Sequence, residues 1–311
     1  MSTSPRDLGC DLLVIGAGMA GLSAACRAAG QGLVVGVIER APTVGGSALL
    51  SAGMLWCASD VEEFLALDPS ADPDMIRLLV DRFPGASEWV ASLGVPASPE
   101  VSMDAIHGFG SAGRQIDVPA FLRRAERVVE DAGGWVVRDA RTESLLTEDG
   151  RVVGARVHQN GQVFIVGATA TLLATGGFGG NAGLRGELIG PQAKELLVRA
   201  NPFSVGDGLR LGTAVGAAVT GHTPGFYGHL VPAPLPGGLS PADFERLTHR
   251  YSPHALLLDR AGHRLLDESV GYEINATTVA QQPGARAAGW PSSSGSIRST
   301  LSATSTSSPP P

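Results

Sequence analysis

The chain opens with a short apolar run of buried-strand type, Asp11-Leu-Leu-Val-Ile15. It gives way at once to Gly16-Ala17-Gly18-Met19-Ala20-Gly21 and then to a helical segment, Leu22 to Ala29. A second buried strand, Leu33 to Ile38, ends at Glu39. Residues 74 to 93 predict two helices broken at Pro84-Gly85, with apolar Met75, Ile76, Leu78, Leu79 and Phe83 in one and Trp89, Val90 and Leu93 in the other. Trp89 reads as core packing, with a cofactor contact as the alternative. Pro119 to Ala132 is amphipathic, since Leu122, Ala125, Val128, Val129 and Ala132 share a face opposite most of its charged residues.

From Trp135 the pattern changes to period two. Val136-Val137, Leu145-Leu146, Val152 to Val157 and Val163 to Val166 read as strands, with turns at Glu148-Asp149-Gly150 and Gln159-Asn160-Gly161. A further run, Ala170 to Ala174, enters the glycine turn Thr175-Gly176-Gly177-Phe178-Gly179. Gly206-Asp207-Gly208 begins a small-residue helix, and Asp207 can be read as its cap. Ala255 to Leu266 reads as a hairpin followed by Asp267-Glu268. The segment 288–311 is serine-rich, without acids or periodicity, and is expected to be disordered.

Composition narrows the class. The chain has 311 residues, room for one large domain or two ordinary ones. Its 42 glycines are close to twice the usual share, and 17% charge is below the usual quarter, which points to tight turns and burial. A net charge of -7 gives no basic footprint, so nucleic acid is not an expected partner. Cys10, Cys26 and Cys57 form no CxxC pair, so neither a disulfide framework nor a cysteine-rich metal site is expected. No signal-type segment or stretch of about 18 apolar residues occurs. The expectation is a cytoplasmic protein without a membrane partner. His222 and His229 lie in a turn-rich loop, and no spacing suggests a metal site.

The opening strand, glycine loop, helix, strand and acid occur in the order that dinucleotide binding requires. Gly16 permits the tight turn, Gly18 lets backbone approach a pyrophosphate, and Gly21 allows close helix-to-strand packing. The helix N-terminus offers N–H groups and a positive dipole to phosphate, and Glu39 can accept hydrogen bonds from a ribose. A structural glycine turn without a ligand is the alternative. A second small-residue loop, Gly45-Gly46-Ser47 through Ser51-Ala52-Gly53, follows Glu39-Arg40. With the third glycine loop, Ala174-Thr175-Gly176-Gly177, this order resembles the FAD-dependent oxidoreductases of the fumarate reductase/succinate dehydrogenase flavoprotein family, which includes ketosteroid and tricarballylate dehydrogenases.

That resemblance implies an α/β fold, a Rossmann-like FAD-binding domain with a three-layer sheet and a β-meander, plus an incomplete α+β cap domain. The implied FAD set is Gly16, Ala17, Gly18, Met19, Ala20, Gly21, Glu39, Arg40, Gly45, Gly46, Ser47, Ser51, Ala52, Gly53, Ala174, Thr175, Gly176, Gly177 and Asp207. Membrane-bound members attach FAD through a histidine in the second loop. Residues 41–56 contain none, so the FAD is expected to be non-covalent. His229 falls near the position where relatives hold a substrate carboxylate or carbonyl. Glu268 matches an acid that passes protons through a nearby arginine, yet no arginine occurs between Arg264 and Arg286, which puts fumarate reductase chemistry in doubt.

The expected domains are 1–180 for FAD, 181–287 for a partial cap and 288–311 for the tail. The family pattern stops after Ala287, and a frameshifted or shortened chain is expected. The expected function is hydride transfer between flavin N5 and a carbon next to a carbonyl or carboxylate of a small organic acid or ketosteroid-like substrate, with a separate electron donor or acceptor. A non-catalytic FAD-binding remnant is the alternative. An NAD-dependent dehydrogenase is a third reading, which the second glycine loop argues against.

Overall fold

The computed structural model describes residues 8–67, 69, 71–104, 109–197, 201–219, 228–232, 247–249, 252–259 and 261–280. His222 with its loop, residues 281–287 and the tail therefore lie outside the described residues. The chain divides into two compact units. Among the described residues the first comprises 8–181 and 201–219, and the second 182–197 and 228–280. A boundary near 181 would give 201–219 to the cap, whereas this segment belongs to the first unit. The amide of Gly180 donates to Ser204 O, and that of Gly206 to Gly177 O.

In the first unit, β1 (Leu8–Ile15) leads into α1 (Met19–Ala29) and β2 (Val35–Ile38). Three short elements, β3 (Met54–Ala58), β4 (Val101–Ser102) and β5 (Ser111–Gln115), form a separate sheet. After them come β6 (Trp135–Val137) and the meander β7 (Ala140–Glu148), β8 (Arg151–Gln159) and β9 (Gln162–Leu173). The main sheet has the order β6-β2-β1-β9-β8-β7. Its β6-β2-β1-β9 part is parallel and its β9-β8-β7 part antiparallel.

The runs expected at Val163–Val166 and Ala170–Ala174 are one strand. Its first half pairs antiparallel with β8 and its second half parallel with β1, so the same strand ends the meander and completes the parallel sheet. Both hairpins turn as expected, on Asp149-Gly150 and Asn160-Gly161, with positive φ at each residue as such tight turns demand.

Burial on both faces follows from alternation along β1. Val14 packs with α1 and with α4 (Val118–Asp131) in one core, beside Leu22, Phe121 and Val129. Leu13 and Ile15 pack on the other side with Val157, Phe164 and Val166 of the meander. Trp89 packs in the first core, edge-on to Phe121 at 6.0 Å between ring centroids. Leu122, Ala125 and Val129 of α4 face inward as expected, together with Val118 and Phe121, whereas Val128 is half-buried and Ala132, which ends the helix, is exposed.

Helix α2 (Val61–Leu67) is followed by α3 (Pro73–Ser92), which runs unbroken through Pro84 where two helices were expected. Pro84 itself lies on the exposed side, where its ring can be accommodated. Asp72 caps α3 by accepting from the amides of Asp74 and Met75. Met75, Leu78 and Leu79 remain exposed.

The second unit holds α5 (Ala182–Leu188), whose Arg185 donates to the carbonyls of Ala193 and Lys194. It also holds the expected hairpin, bridged between Leu258 and Arg264, and α7 (Tyr272–Ala280). Leu230, Leu257, Ala276 and Val279 form its small core.

Candidate functional site

Parallel strands end their apolar runs together, and the loops that follow them meet at that edge. Here the loops after β1, β2 and β9 enclose a cavity of about 270 Å³. This is the position at which open α/β sheets bind ligands, at the carboxyl ends of strands whose connections diverge.

The glycine loop is shaped by its surroundings. Gly16 has φ +107°, and a Cβ there would collide with the carbonyl of Ala174. A Cβ on Gly21 would collide with the carbonyl of Gly16, so the helix reaches the strand only because position 21 has no side chain. At Gly18, by contrast, a Cβ would make only an ordinary contact, 3.9 Å from Gly45 O, so no protein atom there requires glycine. Helix α1 has no side-chain cap and no acid in its first turn. Its free N–H groups and the positive end of its dipole are therefore available to an anion. Gly18, Met19 and Ala20 line the cavity.

Glu39 is buried, and it holds the loop that it borders. Its Oε2 accepts from Ala17 N at 2.7 Å and its Oε1 from Ala41 N at 2.7 Å. Each carboxylate oxygen has two lone-pair sites, so one remains on each for a ligand hydroxyl. Next to it, Arg40 Nη1 donates to Asp207 Oδ2 at 2.8 Å. Asp207 is the first residue of α6 (Asp207–Ala214) and Gly206 is the cap, with no side-chain capping bond. The reading of Asp207 as a capping acid is thus corrected: its carboxylate is engaged by Arg40, and Arg210 lies 3.5 Å from it. The amide of Gly208 instead finds Thr175 Oγ1 at 2.8 Å.

The second loop docks on the first. Gly45 N donates to Ala17 O at 2.7 Å, and Gly46–Leu50 forms a short 3-10 helix. Gly45, Gly46 and Ser47 line the cavity, as do Gly16, Glu39, Arg40, Ala174, Thr175, Gly176 and Asp207. Six residues of the expected FAD set are not among its lining. Ala17 and Gly21 are packed beneath the loop, and Gly177 accepts from Gly206 N. Ser51, Ala52 and Gly53 turn the chain into β3, with Gln115 Nε2 donating to Ala52 O and Ile116 N to Gly53 O.

Sequence reasoning missed Ala140, Thr142, Asn201, Phe203, Ser204 and Leu211, which also line the cavity. The alternation of β7 puts Ala140 and Thr142 on one face, a usable signal. Asn201, Phe203 and Ser204 are held beside the third glycine loop, where Gly180 N donates to Ser204 O at 2.8 Å, a pairing that no local pattern announces.

The two residues expected to act on substrate lie in the second unit. His229 is half-buried. Glu268 is 2% exposed, accepts from Leu257 N at 2.6 Å and receives Arg264 Nε at 2.9 Å. Hydrogen bonding from Arg264 pulls its carboxyl down to about 2, against the desolvation that burial imposes. Glu268 is therefore an anion at neutral pH, and its arginine partner is Arg264, four residues before it.

Among the described residues, no group of His, Cys, Asp and Glu could hold a metal ion, and no helix is long and apolar enough to cross a membrane. Cys10, Cys26 and Cys57 are free, and burial raises each thiol pKa.

Comparison with known proteins bears on what the cavity holds. Residues 11–294 match the family described as FAD binding domain. The chain belongs to that family, and its cofactor is FAD. A probable fumarate reductase, Ifc3, of Shewanella frigidimarina is 27% identical over 238 residues, covering 67% of this chain and 39% of the relative. A urocanate reductase of Eggerthella lenta is 29% identical over 202 residues, covering 56% and 33%. The chain thus spans about two fifths and one third of these two relatives. Among solved structures, the 3-ketosteroid-Δ4-(5α)-dehydrogenase of Rhodococcus jostii RHA1 superposes with a TM-score of 0.69 at 21% identity, covering 90% of this chain and 66% of the other. That likeness establishes a shared fold.

Proposed function

We propose that the protein is an FAD-dependent oxidoreductase acting on a small organic acid or a ketosteroid-like ketone, with FAD held non-covalently. When bound, FAD supplies hydride exchange at flavin N5 with a carbon next to a carbonyl or carboxylate. The observation that carries this reading is the uncapped α1 N-terminus opening on a cavity whose rim holds Glu39 and the Arg40–Asp207 pair. Gly18, Met19 and Ala20 would hold the pyrophosphate through backbone N–H groups, and Glu39 would accept from the ribose. Gly45, Gly46 and Ser47 line the same cavity and would exclude water from the bound cofactor.

Fumarate and urocanate, named by the reductases, are carboxylates, and the steroid dehydrogenase is named for a ketone. These names support the substrate class. In this reading His229 holds a substrate carboxylate or carbonyl. Glu268 is held as an anion by Arg264, the form that can accept and return a proton. The second electron partner is a separate donor or acceptor, and three free thiols fit a reducing, cytoplasmic setting.

The test is anaerobic spectroscopy of the purified chain carrying FAD. Reduced flavin should reoxidise with an unsaturated acid such as fumarate or urocanate, or oxidised flavin should bleach with a saturated 3-ketosteroid. A flavin spectrum inert to all of these favours the second reading, a non-catalytic FAD-binding protein. One observation supports that alternative: no arginine follows Glu268 before Arg286, so the relay arginine is missing from its expected place.

A further inference from the structure

We propose that the outer face of α3 is the docking surface for a partner protein that presents an amphipathic helix with basic flanks. The inner side of α3 is committed to the fold, with Ser87 and Val90 buried and Trp89, Val90 and Leu93 packed in the first core. Its outer side carries Met75, Leu78 and Leu79 at 61%, 50% and 55% exposure. Their spacing of three and four residues puts them on one face, and Ala86 extends it with a small side chain. An exposed apolar stripe on a helix anchored in this way marks a contact surface. None of these residues lines the cavity, so occupancy of this face and of the cavity can be measured separately.

Charge identifies the occupant. Asp74, Asp81 and Glu88 recur every seven residues, are all exposed, and form a row along the helix. Asp74 and Asp81 are the i−4 and i+3 neighbours of Leu78, so the row borders the stripe. Of the two cations on α3, Arg77 is paired with Asp74 at 3.4 Å. The other, Arg82, follows Leu78 and Leu79 at helical spacing, where its stem can lie along apolar surface. The surrounding segment is acidic as a whole: residues 54–117 hold 11 acids and three arginines, whereas the rest of the chain holds 19 acids and 20 basic residues. An apolar stripe bordered by acids takes a partner helix with apolar residues facing it and lysine or arginine beside them, as in coiled-coil pairing. A second copy does not supply that charge. Packed antiparallel, α3 would set its acid row against itself, and packed parallel it would set the row against Leu79 and Ala86.

The experiment titrates the full chain with a synthetic helix of about three heptads that carries leucine on one face and lysine beside it, and with a counterpart carrying glutamate in place of lysine. The basic helix should bind saturably, and its Kd should rise roughly tenfold between about 0.02 and about 0.3 M salt. The acidic helix should not bind. L78Q/L79Q and, separately, D74N/D81N/E88Q should each weaken binding about tenfold or more. Their Tm should stay close to that of wild type, because every substituted side chain is exposed. The charge variant should also lose most of the salt dependence. A basic helix that does not bind wild type, binds either variant as tightly as wild type, or binds no better than the acidic helix overturns the inference. Sedimentation showing a dimer that L78Q/L79Q dissolves would give the face to a second copy. Phosphatidylcholine vesicles bound by wild type but not by L78Q/L79Q would give it to lipid, and either result also overturns the inference.

Discussion

Arg40 Nη1 and Asp207 Oδ2 meet at 2.8 Å, joining the residue that follows Glu39 to the first residue of a helix 167 positions later. The pair closes the rim of the cavity between the loop after β2 and the start of α6, so two distant segments share one charge balance. Arg40 is about a third exposed, and the stability gained from the pair is about 1 kcal/mol or less. Its larger effect is on position. Asp207→Asn should lower FAD affinity roughly tenfold while moving the Tm little, as read by flavin titration and thermal melting.

Gly21→Ala should be far more damaging. A methyl group there collides with the carbonyl of Gly16, and the contact is backbone on both sides of the α1–β1 junction. The expected cost is on the order of 3 kcal/mol or more, with loss of bound flavin. Circular dichroism melts and flavin content after purification check this. A control, Gly32→Ala, meets no atom within 4 Å and should retain flavin even though its φ of +87° adds strain.

Pro84→Ala should stabilise the protein by about 1–3 kcal/mol, because α3 continues through this exposed position and proline forfeits an intrahelical bond. The check is the shift in Tm. No change would mean that the helix is already broken there.

Glu268 makes stability depend on acid. Its carboxyl ionises near 4.5 when unpaired and at about 2 in the fold, so folding is favoured by the ionised form. That contribution is complete above about pH 4.5 and is lost as the pH falls toward 2. Glu268→Gln should lower the Tm at pH 7 and flatten its decline below pH 4.5. Melting curves across pH 3–7 for both proteins measure the difference.

The parts of the site that were legible in the sequence are those set by local backbone geometry. Gly16, Gly18 and Gly21 announce themselves because turn, approach and packing each demand the absence of a side chain within six residues. Glu39 was legible because it ends a buried strand. The Arg40–Asp207 pair was not, since only the tertiary path brings α6 beside β2. For Glu268 an arginine was sought downstream, whereas its partner in the fold is Arg264, four residues before it. Pro84 misled because propensity forbids what an exposed helix face tolerates.

The central claim is that this cavity holds FAD without a covalent bond. The direct measurement is titration of the flavin-free full chain with FAD, followed by acid precipitation. Saturable one-to-one binding, with all flavin recovered in the supernatant, is the predicted result. No saturable binding, or flavin that stays with the precipitated protein, would contradict it.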